Sequence, residues 1–251
     1  MSVADNLRAV RARLALACAA AGREVEAVRL LPVSKTQPVE LIEQAMAAGC
    51  ADFGENRVAE VVAKAAALPA AVGWSLVGHL QRNKAAAVVG VINELQSLDS
   101  LELAAVLQRH LEASEVGLPV LVEVNTSGEA SKHGLAPADV LAFTAALTSY
   151  PALRPTGLMT VAHPDPTRAA AGFDQLVELR DRLRQRDGGG WSQLSMGMSG
   201  DFELAVAHGS TCVRLGTAIF GSRLAVEPVT EPVTEPVTEP VVGPRRDHRP
   251  A

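Results

Sequence analysis

Four lysines occur in the chain, at Lys35, Lys64, Lys84 and Lys132, and only Lys35 directly follows an apolar run, Leu30-Leu31-Pro32-Val33-Ser34. The run reads as a short buried strand that ends in the lysine. Pro38 suits the first position of a following helix, where a missing N–H costs nothing. Val39, Ile42 and Met46 then recur at helical spacing. Lys35 is therefore expected at the carboxyl end of a strand, the edge at which α/β folds bind ligands. Desolvation there favours the neutral, nucleophilic amine. Lys132 is the rival, but it stands several residues beyond its strand and reads as a loop cation.

Two further stretches carry chemistry. Ser195-Met196-Gly197-Met198-Ser199-Gly200-Asp201 and Val213-Arg214-Leu215-Gly216-Thr217 each follow a short apolar strand near the end of the pattern. Glycine lets backbone N–H groups approach an anion, and Ser199 and Thr217 add hydroxyl donors. Arg214 lies two residues before Gly216 and shares its strand face. Its guanidinium is placed to reach a ring nitrogen beside a phosphate, or to salt-bridge within the fold, with Glu123 as the candidate partner. His79, Asn83 and Lys84 are weaker ligand candidates, and His79 reads equally well as a structural histidine.

The elements that must position these groups alternate strand and helix. Val3, Leu7, Val10, Leu14 and Cys18 mark an amphipathic helix from about 2 to 21, placed to close the bottom of a barrel. Strands follow at Leu30–Val33, Phe53, Trp74–Gly78, Glu94–Leu98, Leu118–Val124, Leu153–Val161, Gln193–Met196 and Cys212–Leu215, each with a helix after it. Gly54 reads as a tight turn, and Glu55 as the start of a helix with Asn56 and Arg57 in its first turn. Eight such units predict a (β/α)8 barrel, whose last two strands usually precede a phosphate site. The barrel is expected over 1–225. A tail over 226–251, with Glu-Pro-Val-Thr repeated from Glu227 to Thr238, is expected to be disordered, because proline at every fourth position blocks helix and central strand.

Composition narrows the function classes. The chain has 251 residues, 48% hydrophobic and 20% charged, enough for a large core built mainly of Ala, Val and Leu because aromatics are 3%. A net charge of −5 gives no reason to expect nucleic acid or an anionic membrane as partner. No apolar run has the length of a membrane span, and the N-terminus does not read as a signal peptide. The scattered Cys18, Cys50 and Cys212 fit a reduced, cytoplasmic protein, not a disulfide framework or a zinc site, and no metal is expected.

A lysine amine facing a phosphate cradle suits a class I aldolase acting on a sugar phosphate, or a pyridoxal 5′-phosphate (PLP) site. A permanently charged Arg214 at the pyridine nitrogen would keep that nitrogen unprotonated and make the cofactor a weak electron sink. An amino-acid racemase is a further alternative. It requires a second base, and Tyr150, the only tyrosine, does not stand where one is needed.

The chain resembles the pyridoxal phosphate homeostasis family (YggS/PROSC), relatives of the barrel domain of alanine racemase. The match is carried by Val33-Ser34-Lys35-Thr36, Phe53-Gly54-Glu55-Asn56, Gly78-His79-Leu80-Gln81 with Asn83-Lys84, and Gly157-Leu158-Met159-Thr160. It continues in the two glycine-rich stretches and in Ile219-Phe220-Gly221. The resemblance implies an alanine-racemase-type barrel that binds PLP without established turnover. It would act in PLP delivery, control of free PLP, and amino-acid and keto-acid balance. It further implies a Schiff base at Lys35, phosphate contacts from Ser199, Gly216 and Thr217, Arg214 at the pyridine nitrogen, and Asn56 and Met198 lining the cofactor. PLP-dependent apo-enzymes are the implied partners, and a monomer is expected. Lys84 and Lys132 are candidates for a second, weaker PLP site.

Overall fold

The structure is a computed structural model and describes residues 2–112 and 117–221. The 225/226 boundary and the Glu-Pro-Val-Thr segment lie outside the described residues. Eight parallel strands form one sheet in the order β1-β8-β7-β6-β5-β4-β3-β2. They are β1 (Arg29–Pro32), β2 (Asp52–Glu55), β3 (Gly73–Leu76), β4 (Glu94–Leu98), β5 (Leu118–Glu123), β6 (Leu153–Met159), β7 (Gln193–Ser195) and β8 (Cys212–Leu215). A bridge from Val33 to Gly54, with Ser34 N–H donating to the Gly54 carbonyl at 3.0 Å, joins the end of β1 to β2 and brings the ring to near-closure. The result is the (β/α)8 barrel that the strand–helix alternation predicts.

The outer layer comprises α1 (Val3–Ala20), α2 (Val39–Ala47), α3 (Val58–Ala67), α4 (Ala85–Val88), α5 (Leu101–Leu111), α6 (Val140–Ala146), α7 (Pro166–Asp187), α8 (Phe202–Ala207) and α9 (Thr217–Phe220). The longer helices bury an apolar stripe toward the interior of the fold. In α7 the stripe is Ala169, Phe173, Leu176, Leu179 and Leu183. The additional N-terminal helix is present and starts in a Ser2–Asp5 capping box. It does not plug the barrel bottom. Its face of Val3, Leu7, Val10, Leu14 and Cys18 packs along the side, against α2, α8 and α9, and Asn6 Nδ2 donates to the Ile219 carbonyl at 2.9 Å.

Three local expectations are corrected. Pro38 caps α2 from outside instead of opening it. Gly54 is no turn: it lies within β2, where an added Cβ would come within 3.1 Å of Val33 Cγ2. Glu55 ends that strand, so Asn56 lies in the connecting loop and Arg57 is the N-cap of α3.

The barrel interior carries a polar chain. Arg29 on β1 pairs with Glu94 on β4, and Ser75 Oγ and Gln96 Nε2 donate to the same carboxylate at 2.8 and 2.7 Å. Ser195 Oγ on β7 donates to Gln96 Oε1 at 2.6 Å and accepts from Arg214 Nη1 at 2.8 Å. Strands that are not neighbours meet only across the interior, so this chain spans the barrel and ends at Arg214. Among the described residues no helix is long and apolar enough to cross a membrane. All three cysteines are free thiols.

Candidate functional site

Lys35 follows the carboxyl end of β1, half-buried, in a turn one residue past the buried Ser34. The next residue, Thr36, has φ 63°, a left-handed conformation that is unfavourable for a β-branched side chain. Two bonds hold it there. Its N–H donates to Glu60 Oε2, and its hydroxyl donates to the Lys35 carbonyl, both at 2.6 Å. Such strain persists only where the surroundings over-determine it, and it clusters at functional turns.

Beneath this turn lies a network that the sequence reading missed. Buried Lys64 donates to the Ser34 carbonyl at 2.7 Å and to Glu55 Oε1 at 2.6 Å, and Ser34 Oγ donates to Glu55 Oε1 at 2.6 Å. Burial pushes the Glu55 carboxyl above its ordinary value, and the bonds from Lys64 and Ser34 draw it back. The network ties the Lys35 turn to β2 and α3. The available signal was the Glu60–Lys64 spacing of four, which places both side chains on one face of α3.

The two glycine-rich turns lie beside Lys35, because β8 and then β7 follow β1 around the sheet. Val33 N–H donates to the Leu215 carbonyl at 2.8 Å, and an added Cβ on Gly216 would stand 3.2 Å from the Val33 carbonyl oxygen. Ser199 Oγ accepts from Ala218 N–H at 3.3 Å, which links the turn after β7 to the one after β8. Thr217 and Met198 are exposed, Ser199 and Gly216 half-buried. Gly197 has φ 97°, and a Cβ there would fall 2.6 Å from Ala205 Cβ, so only glycine lets the chain turn this tightly over α8.

Arg214 is buried. Nη1 donates to the Ser195 carbonyl at 2.7 Å and to Ser195 Oγ at 2.8 Å, and Nη2 donates to the Thr160 carbonyl at 2.8 Å. Three of its five N–H donors are thus fixed, and with them the guanidinium plane. Burial pushes its pKa down, opposed by Cys212, Glu123 and Asp201 nearby, and a guanidinium remains charged at neutral pH. These bonds replace the Glu123 salt bridge suggested by sequence. Glu123 is 7% exposed, its Oε2 has no hydrogen-bond partner among the described residues, and burial together with Asp99 raises its pKa to about 7 despite Arg214.

Asn56 stands half-buried between the ends of β2 and β3. Gly78 permits this, since a Cβ there would meet the Asn56 carbonyl oxygen at 2.2 Å. The structure therefore sets Lys35, Asn56, Met198, Ser199, Arg214, Gly216 and Thr217 at one end of the barrel, on or after the carboxyl ends of β1, β2, β7 and β8. Tyr150 precedes β6 and so belongs to the opposite end. Lys132, the loop cation, is half-buried, pairs with Glu129 at 2.6 Å and donates to the Ala162 carbonyl at 2.9 Å. Lys84 is exposed. His79 is paired with Asp99 at 3.2 Å and stacked on His133.

The alanine racemase N-terminal domain family model matches residues 6–224. A pyridoxal phosphate homeostasis protein of Pseudomonas aeruginosa is 42% identical over 228 residues, which cover 88% of this chain and 96% of that protein. The human protein of the same name is 37% identical over 240 residues, covering 89% of this chain and 87% of its own length. The structure of PipY from Synechococcus elongatus with PLP bound superposes with a TM-score of 0.76 at 33% identity, over 88% of this chain and all of that one. With the Lys35 turn, the paired glycine-rich turns and the anchored arginine on the same barrel edge, the chain belongs to the pyridoxal phosphate homeostasis protein family.

Proposed function

We propose that this chain binds PLP at the carboxyl end of the barrel and acts in PLP homeostasis as a carrier without turnover of its own. The single observation that carries the reading is the placement of the Lys35 turn beside two linked glycine-rich turns, with an immobilised guanidinium on the strand between them. The donor set fits the cofactor. Lys35 supplies the amine for the aldehyde. Ser199, Gly216 and Thr217 supply small, approachable donors for the phosphate. Arg214 faces the ring nitrogen, and Asn56 and Met198 line the ring.

Bound PLP supplies an aldehyde and a conjugated ring. Arg214, held by Ser195 and Thr160, keeps a positive charge where a proton would otherwise sit on the ring nitrogen, and so works against carbanion chemistry. The only tyrosine belongs to the far end of the barrel, so it offers no opposed base to the Lys35 side. Both features support storage of the aldehyde over turnover; the role proposed is delivery to apo-enzymes and control of the free aldehyde, by a monomer in the cytoplasm. The test is a PLP titration followed by visible absorbance. The full chain is expected to develop the imine band with one equivalent. Lys35→Ala is expected to lose it, and retention of the band by that variant contradicts the reading.

A further inference from the structure

On the side of the barrel mouth away from β8, the ends of three successive strands bring together a second cluster. His79 follows β3, Asp99 follows β4, and His133 stands in the loop after β5. One ligand atom from each lies within 4.8 Å of the other two. His79 Nδ1 is 3.2 Å from Asp99 Oδ2, and the two imidazole rings stack at 4.1 Å and 8°. From this geometry we propose that His79, Asp99 and His133 form a divalent transition-metal site, with zinc as the best-fitting ion.

The ligand set is two imidazoles and one carboxylate, the chemistry that suits zinc and not calcium or magnesium. Zinc bonds of about 2.1 Å in a tetrahedron set the ligand atoms about 3.4 Å apart. The donors here need to close by an ångström or so. Both histidines are exposed, so rotation of their rings meets little resistance. The parallel stack would open on binding, and face-to-face stacking is not a favoured aromatic geometry.

Two observations separate this cluster from a chance surface pairing. The loop carrying His133 is stapled: Val124 bridges Leu135, Asn125 Nδ2 donates to the Glu129 carbonyl at 2.9 Å, and Lys132 Nζ donates to the Ala162 carbonyl at 2.9 Å. Little ordering is then left for the ion to impose. Close by is the nine-tenths-buried carboxylate of Glu123, whose Oε2 has no hydrogen-bond partner among the described residues, which feels the charge of Asp99, and whose Cγ lies 3.1 Å from where a Gly134 Cβ would be. A cation held at Asp99 offsets the repulsion between the two carboxylates. We count Glu123 as support and not as a ligand. Three protein ligands leave a fourth position open, and a groove of about 660 Å³ lined by His79, Gln81, Arg82, Asn83 and Ser100 opens beside it.

The proposal uses neither Lys35 nor Arg214, so it stands or falls apart from the PLP reading. The test is calorimetric titration of Zn²⁺ into chelator-treated full chain, with Co²⁺ absorption as a readout of the ligands. One ion per chain is expected, with a Co²⁺ spectrum of nitrogen and oxygen ligation. His79→Ala, His133→Ala and Asp99→Asn are each expected to weaken binding by more than the roughly 10–100-fold typical of losing an outer-shell partner. His163→Ala and His208→Ala are expected to bind as the unaltered chain does. Thermal melts without metal separate folding from ligation: Zn²⁺ raises the midpoint of the unaltered chain and not of the three ligand variants. Absence of binding up to millimolar Zn²⁺ overturns the proposal. So does equal affinity in the three variants, or a thiolate-to-cobalt charge-transfer band.

Discussion

At the scale of single residues, the site depends on buried charges whose partners are named. Lys64 compensates Glu55 under the Lys35 turn. Replacing it with methionine leaves a buried carboxylate without its cation, and Lys64→Met is expected to cost about 3–5 kcal/mol in urea unfolding. Glu123 gives the reverse case. Its pKa is raised from 4.5 to about 7, chiefly by burial. The folded chain therefore holds a proton on Glu123 that the unfolded chain releases between these two values. This group's contribution to stability is greatest below pH 4.5 and falls as pH rises to about 7. Glu123→Gln removes that loss. The variant is expected to be more stable than the unaltered chain at pH 8, by on the order of 3 kcal/mol, and to converge with it near pH 4.5. Denaturant midpoints across that pH range measure the difference.

At the scale of elements, several strands meet their neighbours at glycines that leave no room for a side chain. Gly78, past the end of β3, is one of them, with the Asn56 carbonyl oxygen 2.2 Å from any added Cβ. Gly78→Ala is expected to push the β2 and β3 ends apart, to lower stability by about 1–3 kcal/mol, and to weaken PLP binding through Asn56. Equal PLP affinity in a folded variant would show that Asn56 is no part of the site. Two strands were legible to the residue: Glu94–Leu98 and Cys212–Leu215 fall where the apolar runs place them. The helix after β4 is capped by Ser100, whose Oγ accepts from Leu103 N–H at 3.3 Å. Glu55 was misread for a physical reason. A polar triplet after a glycine resembles the first turn of a helix, yet this strand end is polar because Lys64 and Ser34 meet it from elsewhere in the chain. No local pattern carries that information. The place of Arg214 on the last strand was legible, but its partners, Ser195 and Thr160, lie on β7 and at the end of β6 and are fixed only by barrel closure.

At the scale of the molecule, the barrel is a scaffold with a polar axis. The chain of contacts from Arg29 through Glu94, Gln96 and Ser195 aligns Arg214 at the mouth. Ser195→Ala breaks it next to the guanidinium, and PLP affinity is expected to fall while the Lys35 imine still forms. The family match ends at 224, so a chain stopped after 225 is expected to bind PLP as tightly as the full one, as measured by the same titration. The most direct measurement is borohydride reduction of the PLP-treated protein followed by peptide mass mapping. A phosphopyridoxyl group on the peptide containing Lys35 is the predicted result. Labelling confined to Lys84 or Lys132, or no label at all, would contradict the account.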